Sequence, residues 1–214
     1  MAAERYWDAE NTWYQEAPVA RLAKALAQYD VYRSIVRLPG DVAEFGTFKG
    51  ASLVRLATYR EVLESTHSRA IYGFDTFGEM PAGEGAGDAG VAQRFGDQGT
   101  CLSLAGTEQL MRAKGFENVE LVAGDILETL PRFLEERPAL RFALVNVDVL
   151  MKPVTAEVIR RCAGRLVPGG VMMLDDYGKA AGATEAAEEF LAVTPGFDLR
   201  RAPTSYQPAM LVRI

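Results

Sequence analysis

Acidic residues recur at the ends of short apolar runs in this chain. Glu44 lies in Val42–Phe45, Asp75 closes Ala70–Phe74, Asp148 follows Arg141–Val147, and Asp175-Asp176 follow Val171–Leu174; Asp125 stands one residue beyond Val119–Ala123. If the runs are parallel strands of one sheet, their C-terminal ends share an edge and the carboxylates converge there. Isolated acids in such places are often helix caps or solvated turns. Asp148, Asp175 and Asp176 ask for more, because the two strands they follow should be neighbours. Three carboxylates within several ångströms repel one another and resist ionisation. A nearby lysine relieves this, with Lys152 and Lys179 the candidates close in sequence; so does a hard divalent cation held by oxygen ligands, Mg²⁺ before Ca²⁺ or Mn²⁺. The cation is the reading we favour, with Asp148, Asp175 and Asp176 as its ligands.

A second chemical element precedes these acids. Asp41-Val42-Ala43-Glu44-Phe45 runs into Gly46-Thr47-Phe48-Lys49-Gly50-Ala51-Ser52 and then into helical spacing up to Leu63, a strand, tight turn and helix. Glycine permits positive φ and close approach of a ligand to the backbone, and the free N–H groups of the following helix point over the strand end. The spacing E-x-G-x-x-x-G is neither the dinucleotide fingerprint G-x-G-x-x-G nor a P-loop. Asp75 is placed to accept hydrogen bonds from ribose hydroxyls, or to cap a loop. The turn resembles motif I of the class I S-adenosylmethionine (SAM) methyltransferases.

The remaining elements position these groups. Val19–Val36 reads as one or two helices with Leu22, Leu26, Tyr29, Ile35 and Val36 inward. Helices are predicted over Thr107–Lys114, Leu127–Glu136, a stretch after Pro153, and Ala180–Ala192. Pro168-Gly169-Gly170 reads as a turn into a strand over Val171–Leu174, and the tail as two strands, Phe197–Arg201 and Ala209–Ile214. This β/α alternation implies a mostly parallel sheet covered on both faces. Residues 1–18, with Tyr6, Trp7, Trp13 and Tyr14 among charges, read as a disordered start or an arm over a site. Residues 77–99, rich in glycine and acids, read as a lid, a substrate loop or a disordered segment. The expected organisation is an arm, 1–18, and one domain, 19–214.

Composition narrows the function. A chain of 214 residues, 49% hydrophobic, fits one globular domain. A net charge of −6 argues against a nucleic-acid partner, which calls for a basic face. No apolar run reaches the ~18 residues of a membrane span, and no signal peptide is visible. Cys101 and Cys162 lack metal-ligand spacing, which suits a reduced cytoplasmic compartment. His67 is the single histidine, so histidine-based zinc sites and triads have almost no material.

The motifs taken together resemble the macrocin O-methyltransferase (TylF/MycF/NovP-like) family over roughly residues 19–195: Asp41–Gly46 with Lys49-Gly50, Tyr72–Phe77, Gly124-Asp125 with Thr129-Leu130-Pro131, Asn146-Val147-Asp148, and Leu166–Gly170 running to Asp175-Asp176-Tyr177-Gly178. The resemblance implies a Rossmann-like class I methyltransferase fold: α/β, a seven-stranded mostly parallel sheet with helices on both faces and a C-terminal antiparallel strand. It implies a SAM-dependent, Mg²⁺-dependent O-methyltransferase acting on a hydroxyl of a sugar or glycosylated small molecule, and self-association as a homodimer. Glu44, Gly46, Thr47, Phe48, Gly50 and Ser52 would hold the methionine part of SAM, Asp75 with Thr76 the ribose, and Gly124, Asp125 and Ile126 the adenine. Asp148, Asp175 and Asp176 would hold the metal, with Asp148 as proton acceptor. Two positions depart from the family pattern: Val149–Thr155 lacks its tyrosine, and Lys179 stands where a histidine is common. The alternatives are a catechol or phenol O-methyltransferase, a non-catalytic nucleoside-binding protein, and a nicotinamide-dependent dehydrogenase. The last is disfavoured by the glycine spacing.

Overall fold

The computed structural model describes residues 2–78, 99–206 and 208–214; most of the expected 77–99 loop lies outside them. Its elements run α1 (Ala2–Glu16), α2 (Val19–Ile35), β1 (Asp41–Phe45), α3 (Ala51–Leu63), β2 (Ile71–Asp75), α4 (Leu104–Ala113), β3 (Val119–Ala123), α5 (Ile126–Glu135), β4 (Phe142–Val147), α6 (Lys152–Ala163), β5 (Leu166–Leu174), α7 (Ala181–Val193), β6 (Phe197–Arg201) and β7 (Ala209–Arg213).

The seven strands form one sheet in the order β3-β2-β1-β4-β5-β7-β6. Pairing is parallel from β3 through β5, and β7 is antiparallel to both β5 and β6. All six residues of β4 are buried, as the nearly continuous apolar run anticipates for a central strand covered on both faces. Side-chain alternation sorts β1 between two cores. Ala43 and Phe45 join the core under α5, α6 and α7, built on Leu130, Phe133, Val158, Ile159 and Ala187. Val42 faces α2, α3 and α4 through Tyr32, Ile35, Leu53, Leu56 and Met111. The order reverses between β1 and β4, and ligands of open α/β sheets bind over that reversal.

Three expectations change. In α2 the buried stripe is Ala23, Lys24, Ala27, Gln28, Val31, Tyr32 and Ile35, while Leu26 is 49% exposed. The bulky residues suggest the wrong phase, because Ala23 and Ala27 are the small contacts that seat the helix. Pro168-Gly169-Gly170 does not precede β5 but lies within it, as an irregularity that shifts its register against β4. Residues 2–16 are helical: Tyr6, Trp7, Trp13 and Tyr14 recur at i, i+1, i+7 and i+8, one face of a 3.6-residue period. Tyr6, Trp7 and Tyr14 are largely exposed. Among the described residues, no helix is long and apolar enough to cross a membrane.

Candidate active site

A cleft of about 920 Å³ opens over the C-terminal ends of the parallel strands. One wall is the turn after β1. Gly46 has φ +89°, and a Cβ there would lie 2.2 Å from the Asp148 carbonyl oxygen; the turn therefore rests directly on the end of β4 and only glycine fits. Gly50, at φ +75°, is the N-cap of α3 and has no side chain with which to cap it. Its first N–H groups thus remain available to a ligand. Asp75 organises the same wall, accepting from Phe48 N (2.8 Å), Thr47 Oγ1 (3.3 Å) and Phe77 N (3.0 Å).

Beneath the turn, Glu44 is fully buried. It accepts hydrogen bonds from Ser52 Oγ and from Asn146 Nδ2 (2.8 Å), while its Oε2 has no partner. Burial raises its pKa to about 7, against the stabilising hydrogen bond from Ser52. Asp125 caps α5 by accepting from Leu127 N at 2.8 Å.

The opposite wall holds the acids. Ligand-capable oxygens of Asp148, Asp175 and Asp176 all lie within 4.8 Å of one another. Asp175 and Asp176 are 2% and 8% exposed. Burial, then the charges of Asp148 and Asp175, push Asp176 up to about 7. Burial and Asp175 also raise Asp148, although Lys24 pulls in the other direction. Lys24, from the buried stripe of α2, places its ammonium between two of the acids, 2.7 Å from Asp148 Oδ2 and 3.0 Å from Asp175 Oδ2. Burial disfavours its charge, but the two carboxylates outweigh that and its pKa is raised. Tyr206 comes in from the β6–β7 connection and donates to Asp175 Oδ2 at 2.6 Å.

Neither lysine singled out by sequence proximity sits between the acids, although the charge of Lys179 also favours ionisation of Asp148 and Asp176. Lys152 pairs with Glu185 and Glu189 at 3.0 and 2.7 Å. Lys179 donates to the Asp175 carbonyl at 2.8 Å, with its ammonium 3.6 Å from the centre of the Tyr206 ring.

Of the residues expected to form the site, Gly46, Thr47, Phe48, Ser52, Asp75, Thr76, Asp125, Ile126, Asp148, Asp175 and Asp176 line this one cleft. Glu44, Gly50 and Gly124 do not. Glu44 braces the turn from below, Gly50 caps α3, and Gly124 (φ +129°) donates from its N–H to the Asp75 carbonyl. Sequence reasoning missed Lys24 and Tyr206. A lysine in register with Ala23, Ala27 and Val31 on a helix was a readable sign of a buried partner. Tyr206 lies in an irregular connection without a pattern to betray it.

The donor set suits a divalent cation. Asp175 Oδ1 and Asp176 Oδ2 are buried without a hydrogen-bond partner, and such orphaned carboxylate oxygens are costly unless a cation meets them. The glycine turn likewise suits SAM, since Gly46, Thr47, Phe48, Ala51 and Ser52 line the cleft at the N-terminus of α3.

The strand order, with its reversed β7, and the pairing of a glycine turn with strand-end acids are those of a class I methyltransferase. Within that class the chain belongs to the macrocin-O-methyltransferase (TylF) family, whose model matches residues 20–195, and it is accordingly an O-methyltransferase with SAM as methyl donor. Similar solved structures include CalS11, a calicheamicin methyltransferase, at 25% identity and a TM-score of 0.77, covering 94% of this chain and 83% of that one. An apo structure of CalS11, described as a TDP-rhamnose 3'-O-methyltransferase, matches at 26% identity and a TM-score of 0.70, covering 94% and 84%. The O-methyltransferase NovP shares the fold at 18% identity and a TM-score of 0.75, covering 89% and 79%. No curated protein sequence matches the chain.

Proposed function

We propose that this enzyme methylates a hydroxyl of a sugar or of a glycosylated small molecule, with Mg²⁺ held by Asp148, Asp175 and Asp176. The observation that carries this reading is that the three carboxylates open into the same cleft as the glycine turn. CalS11, described as acting on TDP-rhamnose, supports the acceptor class.

SAM, when bound, supplies an electrophilic methyl carbon on a sulfonium. A divalent ion in the nest supplies positive charge that makes a nearby hydroxyl more acidic. The chain itself contributes geometry and a proton acceptor. The turn Gly46–Ser52 and Asp75 orient the donor on one wall. Asp148, a quarter exposed at its side chain, faces the open half, where an acceptor hydroxyl can reach it. Its carboxylate is the proton acceptor in this reading. Holding the two reactants at attacking distance contributes up to roughly 7–11 kcal/mol.

The test is turnover with SAM on a panel of nucleotide sugars, glycosides and catechols, with and without EDTA, read by mass spectrometry as methyl gain. Methylation of a sugar-bearing acceptor that EDTA suppresses is the expected result. Exclusive turnover of catechols would overturn the acceptor class, and full activity in EDTA would overturn the metal.

A further inference from the structure

The aspartate nest already holds a cation belonging to the chain itself. We propose that Lys24 competes with a divalent metal for the nest, so that metal binds only when the Lys24 ammonium leaves Asp148 and Asp175. This rests on the reading of the three aspartates as metal ligands given above.

Lys24 Nζ bonds one oxygen of Asp148 and one of Asp175, and both residues are needed to hold an ion with three carboxylate ligands. An ammonium has three donors and a single charge. Here it meets two of the three carboxylates and leaves Asp175 Oδ1 and Asp176 Oδ2 unpartnered. It is therefore an incomplete answer to the charge of the nest, one that a doubly charged ion of smaller radius improves on. Two cations within one nest repel, so the occupants exclude each other or bind at each other's expense.

The helix and the side chain have different freedoms. The α2 backbone is fixed by Ala23, Ala27, Val31, Tyr32 and Ile35, all buried. The Lys24 stem is a flexible four-carbon chain whose residue lines the open cleft, so its head can withdraw without moving the helix. Tyr206 forms part of the same contact: its hydroxyl shares Asp175 Oδ2 with Lys24, and its ring lies 5.5 Å from the ammonium.

The experiment is Mn²⁺ titration followed by electron paramagnetic resonance on the SAM-free wild type, Lys24→Met and Lys24→Arg. Melting temperature and calorimetric SAM affinity report the integrity of each variant. Lys24→Met is expected to bind Mn²⁺ at least about tenfold more tightly than wild type, and Lys24→Arg no more tightly than wild type. Equal or weaker Mn²⁺ binding by Lys24→Met overturns the competition and leaves the metal reading standing. Absence of Mn²⁺ binding in all three proteins overturns both. Should Lys24→Met not fold, Lys24→Gln takes its place: binding at least about tenfold tighter than wild type upholds the proposal, and equal or weaker binding overturns it.

Discussion

The two walls of the cleft are built in opposite ways. The donor wall is local: β1, its turn and the start of α3 are contiguous, and Asp75 is stitched to that turn by Phe48 N and Thr47 Oγ1. The acid wall is assembled from afar. Asp148 and Asp175 come from adjacent strands, their counter-cation from a helix 124 residues earlier in the chain than Asp148, and the hydroxyl on Asp175 from a connection 31 residues later. A local wall is specified by backbone conformation, whereas a remote wall is specified by charge balance. Substitutions on the two sides should therefore fail differently.

The largest effect is expected from Asp148→Ala, on the acid wall. Methyl transfer should fall by roughly 10²–10⁴-fold, the usual contribution of a general base. SAM affinity by calorimetry should stay within about twofold, because the donor turn touches the backbone carbonyl of residue 148 and not its side chain. A comparable loss of SAM binding would break the division between the walls.

Gly46→Ala tests the donor wall, where the failure should be structural. A methyl group 2.2 Å from the Asp148 carbonyl at φ +89° should cost about 3 kcal/mol or more. For a chain of this size that lowers the melting temperature by roughly 6–12 °C, and SAM binding should weaken with it. An unchanged melting curve would show that the turn is free of β4.

The smallest effect is a pH dependence at the boundary between the walls. The Glu44 carboxyl is raised to about 7 in the folded protein, chiefly by burial. Below its unfolded value, about 4.5, folded and unfolded states both carry the proton. Above it the unfolded chain releases the proton while the folded one retains it. The folded state then loses stability as pH rises toward 7. Glu44→Gln has no proton to release. Its melting temperature relative to wild type should climb by several degrees from pH 4.5 to 7 and then level off. A difference that stays constant with pH would remove Glu44 as a buried titrating group.

This contrast also explains what could be read in advance. The turn, Asp75 and the strand-end acids were legible because strand, glycine and helix follow one another in the chain, and because parallel strands finish on one edge. The alternation of elements likewise foretold the sheet and the coverage of both its faces. The partner of the acids was not legible from proximity: Lys152 and Lys179 are near in sequence, yet Lys152 sits on an exposed cluster of glutamates and Lys179 bonds a backbone carbonyl. The phase of α2 is hard to read from sequence because close helix packing uses alanine, which carries little hydrophobic signal. The course of β5 is hidden because Pro168-Gly169-Gly170 has the composition of a terminator, although a strand can absorb it as an irregularity.

The contact between Gly46 and the Asp148 carbonyl has a consequence for reach. Neighbouring strands lie about 4.8 Å apart, among the stiffest spacings a protein offers. With one wall resting on the other across that interval, the spacing of the two walls is set by the pleated lattice. Exposed lining side chains such as Arg21 can change without disturbing that ruler.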